Sequence, residues 1–192
     1  YIVRRSRRNA LLSSNIPYAW KQILEKNVSL YRLLPPPLRR QLDGLVNLFL
    51  SEKNFEGCGG LEMTDEIRVT IAGLACVLLL NRRTGCYPRL RSILVYPRSY
   101  FVETDSALGD QHVVETVEHS GESWPTGVVV LAWDDVKHEA GDVSDSYNVV
   151  LHEFAHQLDQ EDGFAEGVPV MTSRSAYRDW TRIVSKEYET FR

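Results

Sequence analysis

The sequence predicts a mostly helical α+β protein with a small β-sheet. Apolar residues recur at helical spacing in four segments, whereas only SILVYP and GVVVLAW have the short, β-branched character of strands. With 192 residues, of which 43% are hydrophobic, the chain can form one domain with a buried core. We therefore expect a single domain over residues 16–192, preceded by a basic tail over residues 1–15.

The distribution of charge argues against one broad class of function. The formal net charge is −4, which does not suit a nucleic-acid binder that neutralises many phosphates. The start of the chain, YIVRRSRRNA, holds four of the 22 basic residues. We interpret this basic segment as a solvated tail rather than a binding surface.

Two further features predict a cytoplasmic protein. The longest apolar run covers residues 67–80 and is too short to span a bilayer. The three cysteines, Cys58, Cys76 and Cys86, are odd in number and lack CxxC spacing, which is typical of reduced thiols. We therefore expect no membrane contact, no disulfide framework and no cysteine zinc site.

The first half of the chain predicts two helices and a strand. A PPP break precedes a helix over residues 38–53, in which apolar residues recur every three or four positions. The glycine-rich FEGCGG then predicts a turn, and Thr64 or Asp65 caps an apolar helix over residues 66–80. SILVYP, residues 92–97, is the first predicted strand.

The second half begins with a polar segment, residues 103–126, which predicts a long loop or a ragged hairpin. GVVVLAW, residues 127–133, is the clearest strand of the chain. A helix over residues 146–161 follows, with Ser144 or Asp145 as its N-cap and Gly163 at its end. The last predicted helix covers residues 175–191, with its apolar residues on one side.

The helix over residues 146–161 contains the motif LHEFAHQLD, which has the spacing of a metal site. His152 and His156 are four residues apart, so both imidazoles project from one face of the helix and can bind one zinc ion at about 2.0–2.1 Å. Glu153 lies one step round the helix, where it can accept a proton from zinc-bound water but is poorly placed to bind the ion. Zinc lowers the pKa of its water towards about 7. This HExxH pattern predicts Zn²⁺ as the cofactor, His152 and His156 as its ligands and Glu153 as the catalytic residue.

The alternative is a surface helix with an ordinary polar face. The uncharged neighbours of the motif argue for a buried helix instead, in which two imidazoles and a carboxylate would be costly without a partner ion. A catalytic zinc usually has three protein ligands, and these residues do not identify the third. Asp159 is about 10 Å along the helix from His152, which is too far for one ion. The last helix carries three further carboxylates, those of Asp179, Glu187 and Glu189. Each of them either reaches back to the metal site or is solvated.

The strand GVVVLAW comes shortly before the metal helix. In zinc peptidases an edge strand commonly runs beside the metal and pairs with an extended substrate. We therefore expect an edge strand before the HExxH helix, with residues 128–133 aligning the substrate. A buried core strand is equally compatible with this apolar run.

These segments together resemble a known family. FLSEKNFEGCGGLEMTDEIRVTIAGLACVLLL, SILVYP, SGESWPTGVVVLAWDD and NVVLHEFAHQLDQEDG occur in the order found in the Mlc titration factor A family of bacterial zinc peptidases. The resemblance runs from about residue 16 to the end of the chain. It implies a fold similar to the catalytic domain of anthrax lethal factor and a cytoplasmic gluzincin-type peptidase with aminopeptidase-like activity. It also implies binding to Mlc, a glucose-responsive transcriptional repressor.

The resemblance also implies roles for individual residues. His152 and His156 match the zinc ligands of the family, and Glu153 matches its catalytic glutamate. The remaining family ligand is a glutamate in a segment similar to NPAEFFA, so we expect it beyond residue 192 and the domain to be truncated at its C-terminal end. The family also has a histidine upstream of SGxSW that can approach the metal, and His112 is the nearest match to it. The alternative is that His112 is a solvated loop histidine.

Two functions follow as hypotheses. The first is a zinc-dependent peptidase acting on peptide substrates. The second is a regulatory protein that sequesters a transcriptional repressor and has a structural or vestigial metal site.

Overall fold

The computed structural model describes residues 2–82, 85–108, 111–119, 121–124, 126–141, 147–162 and 173–190, and their side chains except in 2–4, 100–108, 111–119 and 162. These residues form eight α-helices: α1 (Ile2–Ser13), α2 (Tyr18–Asn27), α3 (Ser29–Leu33), α4 (Pro36–Glu52), α5 (Asp65–Val77), α6 (Trp133–Gly141), α7 (Val149–Asp159) and α8 (Arg174–Thr190). They also form six strands: β1 (Asn54–Gly57), β2 (Ser92–Tyr96), β3 (Tyr100–Leu108), β4 (Gln111–His119), β5 (Gly121–Trp124) and β6 (Val128–Ala132). The predicted α+β class is confirmed.

Four of the strands form a mixed sheet in the order β1-β2-β6-β5. Strands β1, β2 and β6 run parallel, with Ser92 opposite both Asn54 and Val128. Strand β5 runs antiparallel to β6, with Glu122 opposite Val130. Strands β3 and β4 form a separate antiparallel ribbon. Within the described residues, β1 and β5 are therefore the two edges of the sheet.

An edge strand does precede α7, but it is β5 and not the predicted residues 128–133. Residues 128–132 form β6, which is hydrogen-bonded to β2 on one side and to β5 on the other. Four consecutive residues of β6 are buried: Val129, Val130, Leu131 and Ala132. An uninterrupted apolar run suits a strand that is covered on both faces, whereas the short, polar β5 suits an edge.

The helix α7 is held on the core by aromatic contacts. The ring centroid of Phe154 lies 5.7 Å from that of Phe49 in α4 and 4.9 Å from that of Tyr87. The Tyr87 hydroxyl donates a hydrogen bond to the backbone oxygen of Ala75 in α5 at 2.6 Å. Each such aromatic pair contributes about 0.5–1.5 kcal/mol beyond its buried area, so these contacts hold α7 against α4 and Tyr87.

The segment predicted as a solvated tail packs against the domain as α1. Arg8 Nε forms an ion pair with Glu52 Oε1 of α4 at 3.2 Å. A Cβ atom on Gly44 of α4 would lie 2.1 Å from the backbone oxygen of Leu12. The missing side chain at Gly44 therefore allows the two helix backbones to approach closely.

The predicted elements and the observed ones differ mainly where the sequence is polar. The predicted cap of α5 is confirmed, since Thr64 Oγ1 accepts a hydrogen bond from the Ile67 N–H at 3.4 Å. Of the two alternatives for the polar segment 103–126, the hairpin agrees with the structure, because β3 and β4 pair antiparallel there and β5 follows, whereas the predicted glycine-rich turn begins with β1. Among the described residues, no helix has the length and hydrophobicity needed to cross a membrane.

Candidate active site

The helix α7 begins at Val149, three residues later than predicted. Asn148 is its N-cap, and its Oδ1 accepts a hydrogen bond from the Leu151 N–H at 3.0 Å. The Val149 N–H donates to the carboxylate of Glu139 in α6. These two bonds satisfy backbone donors that the helix leaves unpaired and set where its first turn lies. Three predicted helix-end residues lie outside the described part of the chain: Ser144, Asp145 and Gly163.

The two histidines of α7 lie together on its exposed side. Their Nε2 atoms are 3.2 Å apart, and their rings are nearly perpendicular, at 89°. Two ligands of one tetrahedral zinc ion, each at about 2.0–2.1 Å, lie about 3.3 Å apart, so the pair fits two positions of such an ion. Burial, followed by the neighbouring His156, lowers the pKa of His152. This favours the neutral imidazole, which is the form that binds a metal.

Glu153 lies on the buried side of the motif, with 5% of its surface exposed. Burial, followed by the charge of Glu122, raises the pKa of the Glu153 carboxyl to about 7. A carboxyl group with this pKa can both accept and release a proton near neutral pH. Glu153 therefore has the electrostatic environment of a general acid–base group.

Strand β5 runs along α7 beside this glutamate. A Cβ on Gly121 would lie 2.5 Å from Val149 Cγ2 and 2.9 Å from Glu153 Cγ. Further along the strand, Gln157 Nε2 donates a hydrogen bond to Ser123 Oγ at 2.8 Å. The strand thus runs along the face of α7 that carries Val149, Glu153 and Gln157. Sequence reasoning missed β5 as a strand, although its residues are part of the SGESW segment that carries the family resemblance.

Tyr147 is another part of the site that the sequence did not predict. Its ring centroid lies 5.7 Å from that of His152, and 46% of its surface is exposed. Burial, followed by the charges of Glu153, Glu139 and Asp135, raises the pKa of its phenol. The hydroxyl therefore stays protonated at neutral pH. No motif marks this tyrosine, because only its position in space relates it to His152.

The third metal ligand is not found among the described residues, in which no group of three His, Cys, Asp or Glu side chains could hold an ion. His112 lies in β4 opposite Ala107, and its side chain is outside the described part of the structure. The candidate carboxylates of α8 are exposed, and Asp179 forms an ion pair with Arg182 at 3.7 Å. The described residues therefore bring together two imidazole nitrogens and one buried carboxyl.

Comparison with known proteins identifies relatives over most of the chain. The family model described as glucose-regulated metallo-peptidase M90 matches residues 2–192. An uncharacterised protein of Synechocystis is 39% identical over 186 residues, which cover 95% of this chain and 67% of that protein. Mlc titration factor A of Klebsiella pneumoniae is 34% identical over 165 residues, covering 84% of this chain and 60% of that protein.

A third relative extends the range of organisms. Mlc titration factor A of Yersinia pestis is 30% identical over 158 residues, which cover 81% of this chain and 57% of that protein. The chain thus spans between 57% and 67% of the length of these three relatives.

Proposed function

The chain belongs to the glucose-regulated metallo-peptidase M90 family, and from this premise we propose that it is a zinc-dependent peptidase with aminopeptidase-like activity. The observation that carries the proposal is the 3.2 Å separation of the His152 and His156 Nε2 atoms beside the buried Glu153. Both nitrogens are suited to hold the ion, and the family resemblance implies a glutamate as the remaining protein ligand. When bound, zinc supplies a lowered pKa for the attacking water and polarisation of the substrate carbonyl.

Glu153 acts as the proton carrier of the reaction. Its carboxylate accepts a proton from the attacking water and returns it to the amine that leaves. Without a bound ion its pKa is about 7, so burial makes this carboxylate a stronger base than an ordinary glutamate and favours acceptance of the proton. Its burial against β5 keeps the carboxyl in one place between the two transfers.

Strand β5 aligns the substrate, in place of residues 128–133. It has a single neighbour, β6, among the described strands, so its outer side is available to pair with an extended peptide. The contact of Gly121 with Glu153 supports this role, because a peptide paired with β5 would lie one strand away from the proton carrier.

The substitution Glu153→Gln tests the assignment. It keeps the size of the side chain but removes its ability to carry a proton, so we expect unchanged zinc content and loss of hydrolysis of a chromogenic aminoacyl substrate. Glu56→Gln, on the opposite edge strand of the same sheet, is the matched control and should keep activity. Full activity of the Glu153→Gln variant would falsify the role of this carboxyl.

We also propose that the protein acts in the cytoplasm and binds a transcriptional repressor similar to Mlc. The support is the name of the Klebsiella and Yersinia relatives, Mlc titration factor A. A non-catalytic repressor-binding protein is the alternative function, and it predicts that capture of the purified repressor survives both Glu153→Gln and zinc chelation. Capture that is lost in both tests argues against an independent docking surface.

A further inference from the structure

A cavity of about 170 Å³ lies at the β1 edge of the sheet, apart from the candidate active site. Its lining residues come from α2, the C-terminal end of α4, β1 and the first turns of α5. Three strand spacings of about 4.8 Å each separate β1 from β5, so β1 lies roughly 14 Å from the strand that contacts α7. The cavity is therefore a separate place for a ligand.

One wall of this cavity is apolar. It is formed by Trp20, Leu50 and Phe55, which are partly exposed and pack against the hydrophobic core. The Phe55 ring makes an edge contact with Phe49, at 6.1 Å between ring centroids. An apolar side chain placed against this wall leaves water, and each buried methylene group strengthens binding by a factor of about four.

The first turns of α5 bring charges of both signs to the same cavity. Asp65 and Arg68 are one turn apart and both line it, yet no ion pair joins these two described side chains. Asp65 Oδ2 accepts a hydrogen bond from Trp20 Nε1 at 2.9 Å, which leaves Oδ1 for another donor. The cavity therefore presents a carboxylate oxygen and a guanidinium group that can each bind an opposite charge.

Lys53 adds a second cation to the lining. Its Nζ donates hydrogen bonds to the backbone oxygens of Tyr87 at 2.6 Å and Leu90 at 2.9 Å, so one of its three N–H groups is left for a ligand. Among the side chains that the structure describes, none forms an ion pair with Lys53, and burial lowers the pKa of its ammonium group. A carboxylate bound here would offset the cost of burying this charge.

We propose that the cavity binds a free α-amino acid with an apolar side chain, such as leucine. The carboxylate of the amino acid binds Arg68 and Lys53, its ammonium group binds Asp65 Oδ1, and its side chain lies against the apolar wall. This site goes beyond the proposed peptidase function and does not depend on it.

The spacing of the charges supports an amino acid over a simple acid or amine. In an amino acid, the nitrogen lies only about 2.5 Å from the carboxyl carbon. Residues three apart on a helix are separated by about 4.5 Å along its axis, so Asp65 and Arg68 can reach two such neighbouring groups. A simple carboxylic acid would leave Asp65 without a cation, and an amine would leave Arg68 and Lys53 without an anion.

Calorimetric titration of the protein with four ligands tests the proposal. L-leucine is compared with N-acetyl-L-leucine, which lacks the ammonium group, with L-leucinamide, which lacks the carboxylate, and with glycine. Because an exposed ion pair is worth a factor of up to about five, we expect each leucine derivative to bind at least threefold more weakly than leucine. Glycine leaves the apolar wall in water and should bind at least tenfold more weakly.

Two variants of the cavity locate the binding. Arg68→Gln and Asp65→Asn should each weaken leucine binding at least threefold, and asparagine keeps an acceptor for Trp20. Arg40→Gln is the matched control, because this exposed arginine of α4 lies about 20 Å along the chain axis from Lys53 and should not affect leucine binding.

Three results overturn the proposal. They are a failure of leucine to bind, equal binding of leucine and either derivative, and leucine binding that neither cavity variant weakens. Leucine binding that is lost in Glu153→Gln but unchanged in both cavity variants also overturns it, because the ligand would then lie at the candidate active site.

Discussion

Replacing Gly121 by alanine places a methyl group in the contact between β5 and α7. The new Cβ would lie 2.5 Å from Val149 Cγ2, 2.9 Å from Glu153 Cγ and 3.1 Å from Glu153 Oε1. Carbon atoms in contact are normally about 3.5–4.0 Å apart. The overlap is therefore at least about 1 Å with the valine methyl group and roughly 0.6 Å with the glutamate stem.

Val149 cannot move away freely. Val149 is fully buried and β-branched, so its side chain has few alternative rotamers. The overlap is relieved only if β5 moves away from α7 or if Glu153 leaves its present position. Overpacking of this kind costs about 1–3 kcal/mol of stability, and a displacement of about 1 Å at a reacting group can cost on the order of a hundredfold in rate.

We therefore expect the Gly121→Ala variant to lose at least tenfold in kcat/KM for a chromogenic aminoacyl substrate, with zinc content unchanged. Urea unfolding should show a loss of about 1–3 kcal/mol. Gly141→Ala is the matched control, because a Cβ on Gly141 would meet no atom within 4 Å. Activity within twofold of the unmodified protein together with unchanged stability would refute the contact between β5 and Glu153.

Three further predictions concern the ion, the buried carboxyl and α1. The substitution His156→Ala leaves one of the two paired nitrogens, so we expect zinc content and hydrolysis to be lost together; retention of stoichiometric zinc would contradict the ligand assignment. In the metal-free protein, the raised pKa of Glu153, about 7 against an ordinary 4.5, means that the folded state binds this proton more tightly than the unfolded state. The resulting stabilisation is fully present below pH 4.5 and is lost as the pH rises through 7. We expect urea unfolding to show a loss of about 1–3 kcal/mol over this range relative to the Glu153→Gln variant. Parallel pH profiles of the two proteins would contradict this expectation. Finally, Gly44→Ala places a Cβ 2.1 Å from the Leu12 backbone oxygen and should release α1 to trypsin, whereas equal cleavage rates would show that α1 does not depend on this contact.

The helical part of the candidate site could be predicted from sequence because its geometry is local. Residues four apart on a helix lie side by side whatever surrounds them, so the proximity of His152 and His156 follows from their spacing alone. Their roles as ligands, and that of Glu153 as the catalytic residue, stay predictions until metal content and activity are measured. The cap of α5 was also predictable, since Thr64 bonds a backbone amide only three residues away.

The strand beside the site could not be predicted in the same way. GVVVLAW has the stronger strand pattern, and for this reason residues 128–133 were assigned the edge position that β5 holds. Whether a strand is central or at an edge depends on which segments pair with it, and these segments are distant in sequence. The basic start of the chain is a similar case, because α1 has a place to pack only where Gly44 of α4 leaves room for it.

The sequence by itself determined the α+β class, the family and the pairing of two imidazoles with a glutamate on one helix, because helix periodicity and short motifs act over a few residues. Only the tertiary structure decided that β5 is the edge strand, that Tyr147 lies beside His152, and that Glu153 is buried deeply enough to raise its pKa to about 7. These properties depend on desolvation and on contacts between segments about 30 residues apart, such as that of Ser123 with Gln157. Such contacts exist only once the chain has folded.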